Sequence, residues 1–202
     1  MQYPKFFDEA ESFILKDDLA NFLGATKDGI IEITYIDCVK LAGHSCPTVA
    51  GSYILTKVAL KHLFGSNTPV RSSFKISIKE PKSSGVNGVI GNVIGFICGC
   101  SDEGGFSGIG GKFNKKNLLS YGNSSQKGLV RFELLDGSKS IELNLDTSTV
   151  PGNPKMKELM QKALMGSATS KELEEFQNMW QERVKFMLLN KNEWNNIAKE
   201  IK

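Results

Sequence analysis

The sequence predicts an α+β protein in which a mixed or antiparallel β-sheet is packed with helices. Helical and strand-like apolar periodicities alternate along residues 1–150, and Asp136-Gly137 marks a hairpin between two alternating segments. Beyond Pro154 the pattern is wholly helical. We therefore expect an α+β domain over residues 1–150 and a C-terminal helical extension, 151–202, packed on the same domain.

The helices are predicted from apolar residues spaced three and four apart and from residues that begin or end a helix. Pro47 suits a first turn, where its missing N–H has no partner to lose, and Gly65 closes that helix. Thr169 and Glu172 have the spacing of a capping box. The helices expected on these grounds cover residues 4–23, 47–64, 86–99, 154–165, 169–189 and 192–201.

The strands are predicted from β-rich alternation. Ile31, Ile33 and Tyr35 alternate with other residues and begin a strand within residues 29–43. The remaining strands are expected at about 69–79, 116–121, 128–135 and 139–145.

A glycine-rich segment follows the strand expected at about 69–79. Ten of the 20 glycines lie between residues 85 and 111, and four of them share one face of the predicted helix 86–99. Each costs about 0.5–1 kcal/mol relative to alanine in a helix. Two interpretations account for this cost: close packing, for example against the 47–64 helix at Gly51, or room for a flat ligand such as haem. The four glycines are Gly88, Gly91, Gly95 and Gly99.

Composition excludes several classes of function. The 25 Lys and Arg are scattered among 22 Asp and Glu, with a net charge of +3, so no nucleic-acid track is indicated. The acidic N-terminus is unlike a signal peptide, and the uncharged stretch 83–101 is too glycine-rich to span a membrane. We expect a cytoplasmic protein without nucleic-acid or membrane partners, whose cysteines are free thiols or metal ligands.

The segment "GHSCP" places His44 and Cys46 immediately before the Pro47 helix. A helix start favours the thiolate, which is both a metal ligand and a nucleophile. The pair therefore suits zinc or another transition metal, or a metal-free thiol enzyme in which Cys46 is the nucleophile and His44 the base. A structural cap, with Cys46 buried and His44 bonded to a carbonyl, is the third interpretation.

The stretch "GHSCPTVAG" resembles the GHxCPGxxxG motif of the FmdE family, which is named after a component of formylmethanofuran dehydrogenase, with Thr48 where a glycine is usual. Farther along, Gly99-Cys100-Ser101 is similar to that family's GCT, and Gly111-Lys112 with Asn117-Leu118 to its GK…NL. The resemblance covers residues 30–122. The family's CxxDAIQ motif differs here, since its cysteine, aspartate and glutamine positions are held by Val89, Asn92 and Gly95.

This resemblance implies an α+β domain, often dimeric, with a small metal site that commonly holds zinc. Carried over by motif, the metal ligands are His44, Cys46 and Cys100. The leading hypothesis is an FmdE-like protein that binds zinc or iron in an open site, which could support an unidentified small-molecule activity. It does not imply the dehydrogenase reaction. The alternatives are the thiol enzyme and a non-catalytic accessory or flat-ligand module, for which the candidate contacts are Gly95, Gly99, Lys112 and Asn117.

Overall fold

The structure, a computed structural model, describes residues 2–202 and confirms the α+β class. The helices are α1 Phe6–Glu9, α2 Asp18–Phe22, α3 Tyr35–Ala42, α4 Pro47–Phe64, α5 Asn87–Cys98, α6 Lys155–Leu164, α7 Ser170–Leu189 and α8 Trp194–Ile197. The strands are β1 Phe13–Lys16, β2 Ile30–Ile33, β3 Phe74–Ile78, β4 Leu119–Tyr121, β5 Val130–Leu134, β6 Ser140–Leu145 and β7 Ala198–Glu200. No helix among residues 2–202 is long and apolar enough to cross a membrane.

A five-stranded mixed sheet, with strand order β4-β3-β5-β6-β7, is the framework of the fold. Strands β3 and β4 are parallel, and the other neighbouring pairs are antiparallel. The β5–β6 connection turns at Asp136-Gly137 as predicted, and Gly137 has a φ of +73°, which favours glycine. Strands β1 and β2 form a separate antiparallel pair.

Helix α4 lies at the centre of the core, and its predicted bounds are confirmed. Cys46 is its N-cap, Pro47 its first residue and Gly65 its C-cap. Most of its residues are buried, and it contacts the sheet as well as α5, α7 and α8. The expectation that Gly51 meets the glycine helix is wrong. Leu145 of β6 occupies that space, because its Cδ1 lies 2.6 Å from where a Cβ on Gly51 would be.

The helix predicted over residues 4–23 is also wrong, since this segment folds as α1, β1 and α2. Phe13 and Leu15 are buried and alternate with more exposed neighbours, which is the pattern of a strand with one buried face. Pairing with β2 fixes that alternation. Asp17 then accepts hydrogen bonds from two backbone N–H groups and caps α2.

The strand predicted to begin at residue 29 ends at Ile33. Thr34 and Asp37 form a capping box, so the chain turns at once into α3. Cys38, which lies within the segment 29–43 where the strand was predicted, is therefore a fully buried residue of α3.

The extension begins as predicted. The expected helices 154–165 and 169–189 are confirmed as α6 and α7, and Thr169 and Glu172 form the capping box. Helix α7 packs against α4.

The last predicted helix, 192–201, is wrong in its second half. Helix α8 ends at Ile197, and residues 198–200 form β7, which pairs with β6. The edge of β6 gains backbone partners that a helix could not supply. The extension is therefore not wholly helical, and its strand belongs to the sheet built by the preceding residues.

Helix α5 is the predicted glycine helix, and its glycines allow other segments to approach closely. The Tyr121 ring of β4 lies against Gly91, and the Cys100 carbonyl and the Leu119 side chain lie against Gly95. A Cβ on Gly91 would lie 2.0 Å from the Tyr121 Oη. The close-packing interpretation therefore applies to these glycines, with β4 and the chain leading into it as the partner.

We predict that Gly91→Ala destabilises the fold by about 2 kcal/mol, because the added methyl group clashes with Tyr121 in a packed interior. The clash outweighs the helix propensity gained by alanine. Urea denaturation measures the change, with Asn92→Ala on the exposed side of the same helix as the control. Because the Tyr121 hydroxyl is buried without a hydrogen-bond partner among residues 2–202, Tyr121→Phe should restore part of the loss. No difference between the two alanine variants would contradict this packing.

Candidate functional site

The "GHSCP" segment is the tight connection between α3 and α4. Gly43 ends α3 in the left-handed conformation, with a φ of +75°, and Cys46 already caps α4. His44 and Ser45 are therefore the residues that reverse the chain between two helices.

Within this turn, His44 and Cys46 have separate hydrogen-bond partners. His44 is exposed, and its Nδ1 lies 2.9 Å from the Ala42 carbonyl oxygen. Because a carbonyl only accepts, Nδ1 carries the proton and Nε2 is left free. The half-buried Cys46 sulfur accepts a hydrogen bond from the Val49 N–H at 3.5 Å. No hydrogen bond joins the imidazole to the thiol in the part of the chain that the structure describes.

The tail helix α7 holds the turn from outside. Trp180 Nε1 and Gln181 Nε2 both donate to the Ser45 carbonyl, at 3.0 and 3.3 Å, and the Ser45 hydroxyl lies 3.0 Å from the Tyr35 hydroxyl. Trp180 packs against the hydrophobic core, and its polar edge fixes the backbone beside His44 and Cys46.

Among residues 2–202, Cys100 shares no hydrogen-bond partner with this pair. It is 2% exposed, and its thiol donates towards the Phe74 carbonyl at 3.5 Å. Burial raises the pKa of this thiol to about 12, so it stays protonated at neutral pH. Burial likewise raises the thiol pKa of Cys38 to about 12 and that of Cys98 well above its usual value. Among residues 2–202 no group of three or more His, Cys, Asp or Glu side chains is arranged to hold a metal ion.

The glycine helix borders a cleft of about 660 Å³ between α2, α3, α5 and the chain around residues 99–119. Two of the four predicted ligand contacts, Gly95 and Gly99, line it. Lys112 does not line it, because it forms an exposed turn with Ile109. Asn117 lines a different, polar concavity on the sheet.

The walls of the cleft are apolar. Leu23 and Leu41 are 61% and 46% exposed, and both line the cleft together with Leu19 and the half-buried Phe96. These side chains come from α3, α5 and the α2 region. Exposed leucines gathered at one concavity are typical of a binding site for an apolar group.

A charged cluster forms the floor of the cleft. Asp17 is only 4% exposed, and its Oδ2 accepts from Arg71 Nη1 at 2.9 Å and from Lys115 Nζ at 2.6 Å. The same three side chains separate the cleft from a smaller concavity of about 370 Å³ on their other side. Three distant parts of the chain thus meet at one carboxylate.

Arg71 also completes the C-terminus of α5. Its Nε donates to the Ile97 carbonyl at 3.0 Å and its Nη2 to the Phe96 carbonyl at 2.7 Å. These are carbonyls that have no partner within the helix. The cation is therefore fixed by the helix end and by Asp17 together.

Burial by itself raises the pKa of Asp17, but the hydrogen bonds and charges of its partners outweigh burial. The Lys115 ammonium contributes most, followed by the Ala20 N–H and the Arg71 guanidinium, and the net pKa is below the usual value. Asp17 is therefore ionised at neutral pH.

An ion pair stands at the mouth of the cleft. Lys82 Nζ lies 2.7 Å from Asp102 Oδ2, and both residues line the opening. Their hydrogen bond and opposite charges raise the pKa of Lys82 and lower that of Asp102. The pair is well exposed, so solvent weakens it and either side chain can exchange partners.

Sequence reasoning missed the cleft's charged residues, Asp17, Arg71 and Lys115. Each stands alone among unrelated neighbours, in "LKDDL", "PVRSS" and "FNKKN". Local spacing carries no information about contacts between residues this far apart in the chain. The glycine face was the one feature that pointed towards this cleft.

In comparisons with known proteins, neither a family model nor a curated protein matches this chain. The resemblance to the FmdE family therefore rests on its motifs alone. Membership in that family, the homodimer and the cytoplasmic location stay predictions.

We predict that Asp17→Asn lowers the free energy of unfolding at pH 7 by about 3 kcal/mol, because two largely buried cations lose their counter-ion. Asparagine keeps an acceptor for the α2 cap, so the loss reports mainly on charge. The exposed neighbour provides the control, Asp18→Asn, for which little change is expected.

The same substitution has a pH signature. The Asp17 pKa is lower in the folded state, so its stabilisation is present above the unfolded-state value of about 3.9 and is lost as pH falls through the folded-state value. Urea denaturation at pH 7 and at successively lower pH should show the gap between parent and Asp17→Asn closing in acid. A gap that stays constant would contradict the assignment.

Proposed function

We propose that the protein binds a small molecule with an apolar body in the cleft bordered by α2, α3 and α5. One observation carries the proposal. The exposed apolar side chains of Leu23 and Leu41 form walls of the cleft, and nearly buried charged side chains form its floor. Few convergent polar groups at the base of an apolar concavity are typical of ligand sites. This develops the ligand-binding interpretation of the glycine helix, because Gly91, Gly95 and Gly99 also line the cleft.

A larger groove of about 880 Å³ runs along α7, but it supports a ligand less well. Its charged residues, including Lys171, Glu174 and Glu182, lie on an exposed helix face. Water satisfies such groups, whereas the floor of the cleft holds its charges in fixed positions.

Anilinonaphthalene sulfonate, an aromatic anion that fluoresces in apolar surroundings, tests the cleft. We expect Leu41→Asp to weaken its binding about tenfold, because an apolar contact is lost and a like charge is added. The matched control is Leu164→Asp, since Leu164 is 80% exposed and also lies at the C-terminal end of a helix. Fluorescence titration measures both affinities. Equal weakening in the two variants, or no binding to the folded parent, would sink the proposal.

A metal half-site at His44 and Cys46 is a second candidate, favoured by the anchored imidazole. Metal-binding histidines commonly donate their second ring N–H to a carbonyl, as His44 Nδ1 does to Ala42, leaving Nε2 for the metal. Cys46 supplies a soft donor two residues away. Cys100, the third ligand implied by the FmdE resemblance, has its thiol 3.5 Å from the Phe74 carbonyl oxygen, and its place in the ligand set stays a prediction. A metal bound here would supply Lewis-acid chemistry at its open positions.

Elemental analysis of tag-free protein tests the half-site. We expect near-stoichiometric zinc or iron in the parent, and its loss in His44→Ala and Cys46→Ser without unfolding, because each variant removes one donor. The other histidine, exposed on α4, gives the control His62→Ala, which should retain the metal. A parent that stays metal-free after incubation with zinc or with anaerobic ferrous iron would refute this candidate.

A further inference from the structure

We infer that the cleft selects a ligand with a single negative charge, a carboxylate, whose apolar body lies against the leucines of the wall. This inference rests on the proposed function of the cleft and names the class of ligand. It comes from a count of hydrogen-bond donors and acceptors on the floor.

The acceptors of the floor are all used. Asp17 Oδ1 accepts from the backbone N–H groups of Leu19 and Ala20, and Oδ2 accepts from Arg71 and Lys115. A carboxylate offers about four acceptor sites, so Asp17 has none to spare.

The donors are not all used. A guanidinium carries five N–H groups, and Arg71 commits one to Asp17 and two to the carbonyls at the end of α5. An ammonium carries three, and Lys115 commits one to Asp17 and one, at 3.4 Å, to the Ser72 hydroxyl. Both cations line the cleft. Among residues 2–202, the floor therefore presents N–H groups without acceptors, which is the arrangement that recognises an anion.

Charge limits how many negative groups can enter. Two cations and one carboxylate leave the floor with one positive charge, and the C-terminus of α5 beside Arg71 reduces its field. At the mouth, Asp102 neutralises Lys82. A polyphosphate would bring several charges to a site that offers about one, whereas a monocarboxylate matches it. The apolar walls favour the rest of the ligand being a ring or an alkyl group.

Two probes of the same shape separate charge from apolar burial: naphthalene-2-carboxylate and its neutral isostere naphthalene-2-carboxamide. Isothermal titration calorimetry should show the parent binding the carboxylate at least tenfold more tightly. In Lys115→Met the affinity for the carboxylate should exceed that for the amide by no more than about twofold. Amide binding should be retained, because Arg71 still pairs with Asp17 and the floor keeps its structure. Lys112→Met removes the same charge from the same loop outside the cleft and should leave the preference unchanged.

The outcomes separate the two proposals. Equal affinity for the carboxylate and the amide in the parent overturns the anion inference and leaves the cleft proposal standing. Binding of neither probe, with no sulfonate binding, overturns both. Carboxylate binding that depends on Lys115 but is unaffected by Leu41→Asp places the anion in the smaller concavity and overturns the inference as stated. If Lys115→Met fails to fold, the salt dependence of binding to the parent tests the inference. Addition of 0.5 M sodium chloride should weaken binding of the carboxylate and leave binding of the amide unchanged.

Discussion

The carboxylate of Asp17 is the point at which the parts of this fold are tied together. It caps α2, pairs with Arg71 before β3 and pairs with Lys115 at the end of the glycine-rich loop. Through Arg71 it also steadies the last carbonyls of α5. Removing one member of this cluster would leave a charge without its counter-ion in a largely buried environment. The segments that carry the three side chains therefore stabilise one another's positions.

This arrangement explains why the cleft exists where it does. Helix α5 must come close to β4, which its glycines permit, and its C-terminus then needs a cation, which Arg71 supplies. The second cation, Lys115, brings the loop across the same carboxylate. The concavity is the space left between α2, α3 and α5 once these contacts are made, so its shape and its charge have a common origin.

Patterns confined to one segment predicted the fold well. Pro47 and Gly65 bounded α4, the Thr169–Glu172 box began α7, and Asp136-Gly137 turned the hairpin. Predictions failed where a partner decides between helix and strand: β1 depends on β2, and β7 depends on β6. The site was less predictable still. His44 and Cys46 could be found as a motif, whereas the charged floor joins residues that no spacing connects.

The distance in sequence between β6 and β7 has a consequence for biosynthesis. The outer edge of β6 pairs with residues 198–200, and three helices, α6, α7 and α8, are made between the two strands. Until β7 has been made, β6 is an open edge of alternating apolar and polar residues, the kind of strand that recruits a second chain. Closure of the sheet therefore waits for the helices to be translated, and a nascent chain of this protein is most prone to aggregate in the interval between making β6 and making β7.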